Sequence, residues 1–345
     1  MDKKKFFEEL VNAGKVLGPA ILTERIYNMM FNHRIHYYKP LFFQMDDFPD
    51  LTRERHTFYS YSKNQLVGYI YSLKNAQNKG IFVFSHGYGG GGHHCYLDLI
   101  HAICEQGYFV FAYDMTANDE SEGYSMKGFT QGMLDADRAI SYVESLSEYQ
   151  HLPLYLCGHS LGAYSVSTAL TFHKEVKGVI AFSGFNQATS TFKYNGEKYA
   201  GEKSQEFMSY VDIYERLLFG DIANTTAVDA FENCPAKIVI VHSEDDMTVP
   251  ITAGYDIYHQ RFKDNNRFKF IRLFIHGHGT VYDTLEGKHY QDKIRKEFNA
   301  YVKKDNPSEE AKEQFLKQLI DRQIYNNCVD KKLIKTAIEF IVERK

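Results

Sequence analysis

Five residues constrain this chain more than any others: Gly158-His159-Ser160-Leu161-Gly162, a G-x-S-x-G pentapeptide directly behind the apolar run Leu152-Pro153-Leu154-Tyr155-Leu156-Cys157. A serine in that setting sits at a sharp turn from strand to helix. Glycines two positions to either side leave room for the strand and helix backbones to approach closely. The turn holds the Ser160 hydroxyl out over the end of a sheet, and the N–H of Leu161 faces the same space. The stretch from Ala163 to Phe172 is rich in small residues and reads as the helix such a turn requires. By composition the pattern arises by chance about 0.1 times in a chain of this length. The strand before it and the helix after it therefore carry the weight.

The surrounding sequence alternates. Residues 81–84, 108–113, 152–157, 178–182, 237–242 and 268–275 read as strands, and 94–106, 128–147, 161–172, 252–263 and 288–304 as helices. A hairpin, 55–62 and 66–73 across Lys63-Asn64-Gln65, precedes them. Short apolar strands alternating with helices imply a mainly parallel sheet covered on both faces. Residues 185–232 separate neighbouring strands by far more than the usual gap of about two to six residues, which predicts an insertion with its own structure. Residues 1–45 read as helical, with Leu22, Ile26, Met29, Met30 and His33 on one stripe. A tail from about 305 to 345 restarts as helix, with Pro307 as a stop and Ser308 as an N-cap. The expected divisions are an N-terminal helical segment (1–45), a core (46–184 and 233–304), the insertion (185–232) and a C-terminal helical extension (305–345).

In an open parallel sheet, ligands bind beyond the carboxyl ends of the strands, and the reactive residue types fall there. Ser85-His86-Gly87-Tyr88-Gly89-Gly90-Gly91-Gly92 follows the first parallel strand, and Ser160 follows 152–157. Glu244-Asp245-Asp246-Met247-Thr248-Val249-Pro250 lies beyond 237–242, and His276-Gly277-His278-Gly279 beyond 268–275. Nucleophile, acid and base in the order Ser, Asp, His is the chain order of one scaffold. A serine hydroxyl needs a base, an imidazole titrates near neutrality, and a carboxylate fixes the imidazole's tautomer. Asp245 and Asp246 point in different directions, so one of them serves; the spacing to Val249-Pro250 favours Asp246. His276 and His278 project similarly and compete.

Together these motifs resemble the α/β-hydrolase superfamily, and within it the capped monoacylglycerol-lipase and serine-aminopeptidase-like esterases, over about residues 55–302. The carriers are His86-Gly87, the elbow at 158–162, Asp246-x-x-Val249-Pro250 and Gly277-His278. Asp119-Glu120-Ser121-Glu122-Gly123 is similar to a further loop of that branch, without its first glycine and with no arginine before it. The resemblance implies an α/β-hydrolase fold, with a mostly parallel central sheet, helices on both faces and a helical cap insertion. Extra N- and C-terminal helices would flank it. It places the base after a glycine, favouring His278, and makes Ser160 nucleophile and Asp246 orienter. The backbone N–H groups of Leu161 and Tyr88 would form the oxyanion hole.

The insertion is rich in aromatic residues (Phe185, Phe192, Tyr194, Tyr199, Phe207, Tyr210, Tyr214 and Phe219), and the resemblance lays it over the nucleophile. His86, Gly87, His159, Phe185 and Tyr214 are the candidate substrate contacts. Aromatic walls fit an apolar acyl or aryl ester, acylglycerol-like in size. A thioesterase, acyltransferase or aminopeptidase on the same triad is the alternative, and a non-catalytic binding module the third reading. Epoxide hydrolases and dehalogenases place Asp at the elbow, which Ser160 argues against.

Other classes find little support. A net charge of −4 and the lack of a long basic run disfavour nucleic acid. No Lys-Ser/Thr follows Gly89–Gly92, so a phosphate cradle, and with it a nucleotide cofactor, is not expected. His86, His93 and His94 crowd one loop without a second cluster at ligand spacing, so no metal is expected. Five scattered cysteines form no C-x-x-C and suit reduced thiols. Glutamates interrupt the apolar stretch after Lys3-Lys4-Lys5, and no run approaches about 18 apolar residues. A cytoplasmic protein without a membrane span is therefore expected, acting on a small-molecule ester. The terminal helices would bury against the core or in a homodimer.

Overall fold

Strands of a parallel sheet are covered on both faces, so each must be apolar throughout. In the computed structural model, which describes residues 18–35, 37–74, 78–89, 91–200 and 204–343, the apolar runs form such strands. They are β3 (Ile81–Ser85), β4 (Phe109–Tyr113), β5 (Leu154–His159), β6 (Gly178–Phe182) and β7 (Lys237–Ser243), with β8 (Phe268–Leu273) as a partly exposed edge strand carrying Lys269 and Arg272. The hairpin strands β1 (Leu51–Tyr59) and β2 (Gln65–Leu73) pair antiparallel, Leu51 opposite Leu73. The eight lie in the order β1-β2-β4-β3-β5-β6-β7-β8. β2 meets β4 antiparallel, and every later pairing is parallel. β1 starts at Leu51 rather than 55. Its first half, Thr52-Arg53-Glu54-Arg55, is exposed at the sheet edge and carries no apolar alternation.

Twelve α-helices accompany the sheet among the described residues: α1 (Pro19–Phe31), α2 (Leu97–Glu105), α3 (Thr130–Ser145), α4 (Leu161–Ala169), α5 (Ser190–Ala200), α6 (Ser204–Phe219), α7 (Ala227–Glu232), α8 (Tyr255–Phe262), α9 (Leu285–Asp305), α10 (Glu309–Leu319), α11 (Arg322–Tyr325) and α12 (Lys331–Val342). One apolar cluster joins α1, α3, α4, the insertion helices and α8 on one face of the sheet. A second joins α2 and the C-terminal helices on the other. None of these helices is long and apolar enough to cross a membrane.

The C-terminal extension completes the second face. α12 buries Ile334, Ala337, Ile338 and Ile341 against β6 and β7. A Cβ on Gly178 of β6 would stand 2.6 Å from Ile341 Cβ, so strand and helix touch with nothing between them. Lys237 Nζ donates to the carbonyls of Phe340 (3.1 Å) and Glu343 (3.0 Å). A helix end lacks internal partners for such groups, and a cation there is favourable. Ser308 Oγ accepts from the Ala311 N–H at 3.2 Å, the N-cap its position predicts.

α1 departs from the stripe read in the sequence. Leu22, Ile26, Tyr27 and Phe31 face inward, whereas Met29 is 44% exposed. The two aromatic residues rotate the buried face away from Met29. That face packs on α6, so the N-terminal segment sits against the insertion. Residues before 18 lie outside the described residues. α6 also reaches the core through Glu215, whose Oε1 accepts from Thr130 N–H (3.0 Å) and Oγ1 (2.7 Å), capping α3 from across the fold.

The loop between α4 and β6 is tied to α3 by His173, whose Nε2 meets Asp137 Oδ1 at 3.0 Å and whose Nδ1 meets Glu144 Oε2 at 3.2 Å. Burial disfavours the imidazolium, but hydrogen bonds to the two carboxylates outweigh it and raise the pKa to about 9. A raised folded pKa means stability fully present below the unfolded value, about 6.5, and lost as pH climbs through about 9. Thermal melts from pH 6 to pH 10 should therefore show a declining limb above pH 7. In His173→Gln that limb should flatten, with a loss of about 2 kcal/mol at pH 6.5. An unchanged limb would refute the assignment.

Candidate active site

At the turn from β5 into α4 the Ser160 backbone adopts φ 56°, ψ −119°, a region L-residues avoid. Its N–H is held by the Phe182 carbonyl at 2.8 Å. The flanking glycines are sterically required. A Cβ on Gly162 would lie 1.9 Å from the Ser85 carbonyl oxygen, and one on Gly158 would lie 2.4 Å from the Gly162 carbonyl carbon. Ser160 is left 8% exposed, at the positive end of α4.

His278 follows β8, and its Nε2 stands 2.9 Å from Ser160 Oγ. Its Nδ1 stands 2.7 Å from Asp246 Oδ2. A carboxylate only accepts, so the imidazole proton sits on Nδ1 and the Nε2 lone pair faces the serine hydroxyl. Asp246 is fixed in turn: Oδ1 accepts from Thr248 N–H (2.9 Å) and Val249 N–H (2.8 Å). Buried His242 adds a contact at 3.4 Å to Oδ2. Burial alone would raise the Asp246 pKa, but hydrogen bonds with His242 and His278 hold the carboxyl well below its ordinary range.

The competing residues take other places. Asp245 Oδ1 accepts from Ser243 Oγ (2.5 Å) and from the Gly277 N–H (2.8 Å), so it ties down the loop that carries His278. The His276 N–H donates to Ser243 Oγ at 3.0 Å, and no hydrogen bond joins its ring to Ser160 or Asp246.

The loop after β3 passes beside the serine. A Cβ on Gly87 would stand 3.4 Å from Ser160 Cβ. Among the described residues no backbone carbonyl accepts from the N–H of Tyr88 or of Leu161. A chain of hydrogen bonds fastens this loop to the His278 loop. The Gly87 N–H donates to Tyr96 Oη (3.1 Å), Tyr96 Oη meets His159 Nδ1 (3.0 Å), and His159 Nε2 meets the His278 carbonyl (2.9 Å). The carbonyl only accepts, so Nε2 carries the His159 proton and Nδ1 accepts from the phenol. Burial, with His278 close by, pulls the His159 pKa down to about 3 and keeps the ring neutral.

Two of the expected substrate contacts have their rings engaged by the protein itself. His159 is only 4% exposed and both its ring nitrogens are engaged. His86 is fully buried; its Nε2 accepts from the Met115 N–H (3.0 Å) and its Nδ1 donates to the Gly87 carbonyl (2.8 Å). Both rings hold loops in place. Phe185 and Tyr214 belong to an aromatic cluster joining the insertion to α1. Phe185 stacks on Tyr164 with centroids 4.9 Å apart, and Tyr214 meets Tyr27 edge-on at 4.8 Å. The side chains of Tyr199 and Phe207 lie outside the described residues.

One ligand atom from each of His93, His94 and Asp119 lies within 4.8 Å of the others. Their hydrogen bonds account for the grouping: His93 pairs with Asp114 (2.7 Å) and Tyr71 Oη (2.8 Å), and His94 with Asp119 (2.5 Å). The Asp119–Gly123 loop is braced by Arg34, whose guanidinium donates to the carbonyls of Asp119, Ser121 and Gly123. That arginine comes from the N-terminal segment, which loop-based sequence reading does not reach. Tyr96 and His242 were also missed. Tyr96 follows Gly87 by nine residues, a spacing with no local meaning until the loop folds back.

Comparison with known proteins accords with this architecture. Residues 76–198, which include Ser160, match the family described as serine aminopeptidase, S33. An esterase of Pyrococcus furiosus superposes with a TM-score of 0.56 at 14% identity, covering 79% of this chain and 97% of its own. Est1E of Butyrivibrio proteoclasticus with bound ferulic acid gives 0.51 at 18% identity, covering 71% and 98%. No curated protein sequence matches the chain. The fold is thus that of the α/β-hydrolases, and the family match over residues 76–198 runs through the elbow.

Proposed function

We propose that this protein is a serine hydrolase that cleaves carboxylic esters of apolar acyl or aryl groups through an acyl-enzyme. The observation that carries the reading is the line Ser160 Oγ–His278–Asp246, at 2.9 and 2.7 Å, with the serine on a strained turn. In the first step Ser160 Oγ attacks the ester carbonyl carbon while His278 Nε2 takes the hydroxyl proton. The oxyanion that forms accepts hydrogen bonds from the N–H groups of Leu161 and Tyr88. Asp246 stays ionised and stabilises the imidazolium. As the tetrahedral intermediate collapses, the C–O bond to the alcohol breaks and His278 returns the proton to the departing oxygen. A water then attacks the acyl-enzyme, with His278 again as base, releasing the carboxylic acid and restoring Ser160.

Esters are favoured by the aromatic character of the insertion, which offers apolar area with polar tips. The resemblance to an esterase and to a ferulic-acid-binding protein supports the same choice. The triad would serve a thioester or an aminoacyl amide equally, and a panel of such substrates separates these.

Wild-type protein should be labelled by a fluorophosphonate probe and should cleave p-nitrophenyl esters. Ser160→Ala should abolish the labelling and lower kcat by about 10⁴-fold or more. Failure of the wild type both to label and to cleave esters, thioesters or aminoacyl amides at any pH from 5 to 10 would sink the hydrolase reading. Asp246→Asn keeps the shape but replaces an acceptor with an amide that can donate, inviting the wrong imidazole tautomer. A fall in kcat of about 10⁴-fold is expected, measured by single-turnover acylation. A loss under tenfold would show that Asp246 is not the orienting acid.

A further inference from the structure

The loop that supplies the second oxyanion donor is poor at holding its own shape. Tyr88 is followed by four glycines. Gly89, Gly91 and Gly92 all have positive φ, at 82°, 66° and 80°. Glycine backbones are the freest in the unfolded or loosened state, so such a loop keeps one conformation only if outside contacts impose it. A donor aimed at an oxyanion must be held before the charge forms.

The contacts come from residues ahead of the core. α1 ends at Phe31, and its last carbonyls lack partners inside the helix. The Asn28 carbonyl accepts from the Asn32 N–H at 3.0 Å, whereas the Met30 carbonyl accepts from the phenol of Tyr88, 58 residues away. Helix end and tyrosine satisfy each other. The Tyr88 ring is also walled by Phe31 at 5.6 Å and Phe129 at 5.4 Å, both edge-on. Burial pushes the phenol's pKa up to about 12, so it remains a donor across the working pH range. At the other end of the loop, a Cβ on Gly91 would lie 2.5 Å from Phe42 and 2.9 Å from Tyr37. The N-terminal segment therefore grips the loop at two points, Tyr88 and Gly91.

We propose that Tyr88 is a positioning residue: its side chain, clamped to the Met30 carbonyl and seated on Phe31, fixes the peptide whose N–H receives the oxyanion. The N-terminal helix thereby belongs to the catalytic apparatus, although it lies outside the hydrolase core. This rests on the serine-hydrolase reading above. Two consequences separate it from a packing role. Loss of the clamp acts on the transition state more than on substrate binding, so kcat falls while KM holds. It also weakens a ligand that mimics the tetrahedral oxyanion in the same proportion.

The test uses the full chain and two variants. Tyr88→Phe keeps the ring and the backbone N–H and removes only the hydroxyl. Phe31→Leu keeps the hydroxyl and loosens the seat. For each, kcat and KM on a p-nitrophenyl ester, the inhibition constant of phenylboronic acid and the Tm are measured. Tyr88→Phe should lose about ten- to a hundredfold in kcat with KM within about twofold. Its phenylboronic acid inhibition constant should rise by the same factor as kcat/KM falls. Phe31→Leu should move in the same direction by a smaller factor. Wild-type kcat and inhibition in Tyr88→Phe would overturn the proposal, as would a lowered Tm without either change. Should Tyr88→Phe fail to fold, unaltered kcat and inhibition in Phe31→Leu would overturn it alone. An active wild type with unaltered variants defeats only this inference; an inactive, unlabelled wild type defeats the hydrolase reading instead.

Discussion

The fold turns on one contact between backbones: the approach of Gly162 in α4 to the Ser85 carbonyl at the end of β3, where a single added carbon would sit at 1.9 Å. β3 and β5 are neighbours in the sheet, and the helix leaving β5 crosses back over the end of β3. That crossing forces Ser160 into its strained geometry and lifts its hydroxyl clear of the sheet. The residues after Ser85 are His86, Gly87 and Tyr88, so the same contact lays this loop alongside Ser160. One steric requirement thus sets the positions of two strand-end loops at once. The other two are brought in by hydrogen bonds.

Those bonds solve an electrostatic problem. Asp246 is buried, and an unpaired carboxylate there would be costly. Two backbone N–H groups and the His278 imidazole satisfy it, with His242 behind. Three histidines surround the site, and their hydrogen bonds divide the roles. His242 Nε2 meets the Val249 carbonyl at 2.9 Å and backs the acid. His159 stays neutral and links two loops, which leaves the serine hydroxyl to His278. A cationic His159 beside His278 would oppose positive charge on that ring, and its neutrality removes this repulsion.

What the sequence revealed follows from how local its signals are. The elbow, the alternation of strands and helices, and the order of Ser160, Asp246 and His278 are written in short spacings, and each was legible. So was the Ser308 cap. The hydrogen bonds of His86 and His159 to carbonyls were not legible, because a histidine beside a reactive residue looks the same in sequence whether it faces a ligand or a carbonyl. The docking of α1 on α6, the Arg34 brace and the Tyr88–Met30 link join residues separated by tens of positions. No periodicity encodes such pairings. Met29 falls on the wrong side of its helix in the sequence pattern because Tyr27 and Phe31, with larger apolar faces, decide the rotation.

The packing of α12 on β6 and β7 bears on how the chain is made. Those strands leave the ribosome well before the helix that covers them, and until it arrives the part of that face formed by β6 and β7 stands open to solvent. Ile334, Ile338 and Ile341 fill that face with no spacer at Gly178. Folding of the nascent chain therefore cannot be completed strand by strand during synthesis. An exposed apolar patch of this kind makes a folding intermediate prone to self-association, and the late helix removes it by closing over β6 and β7.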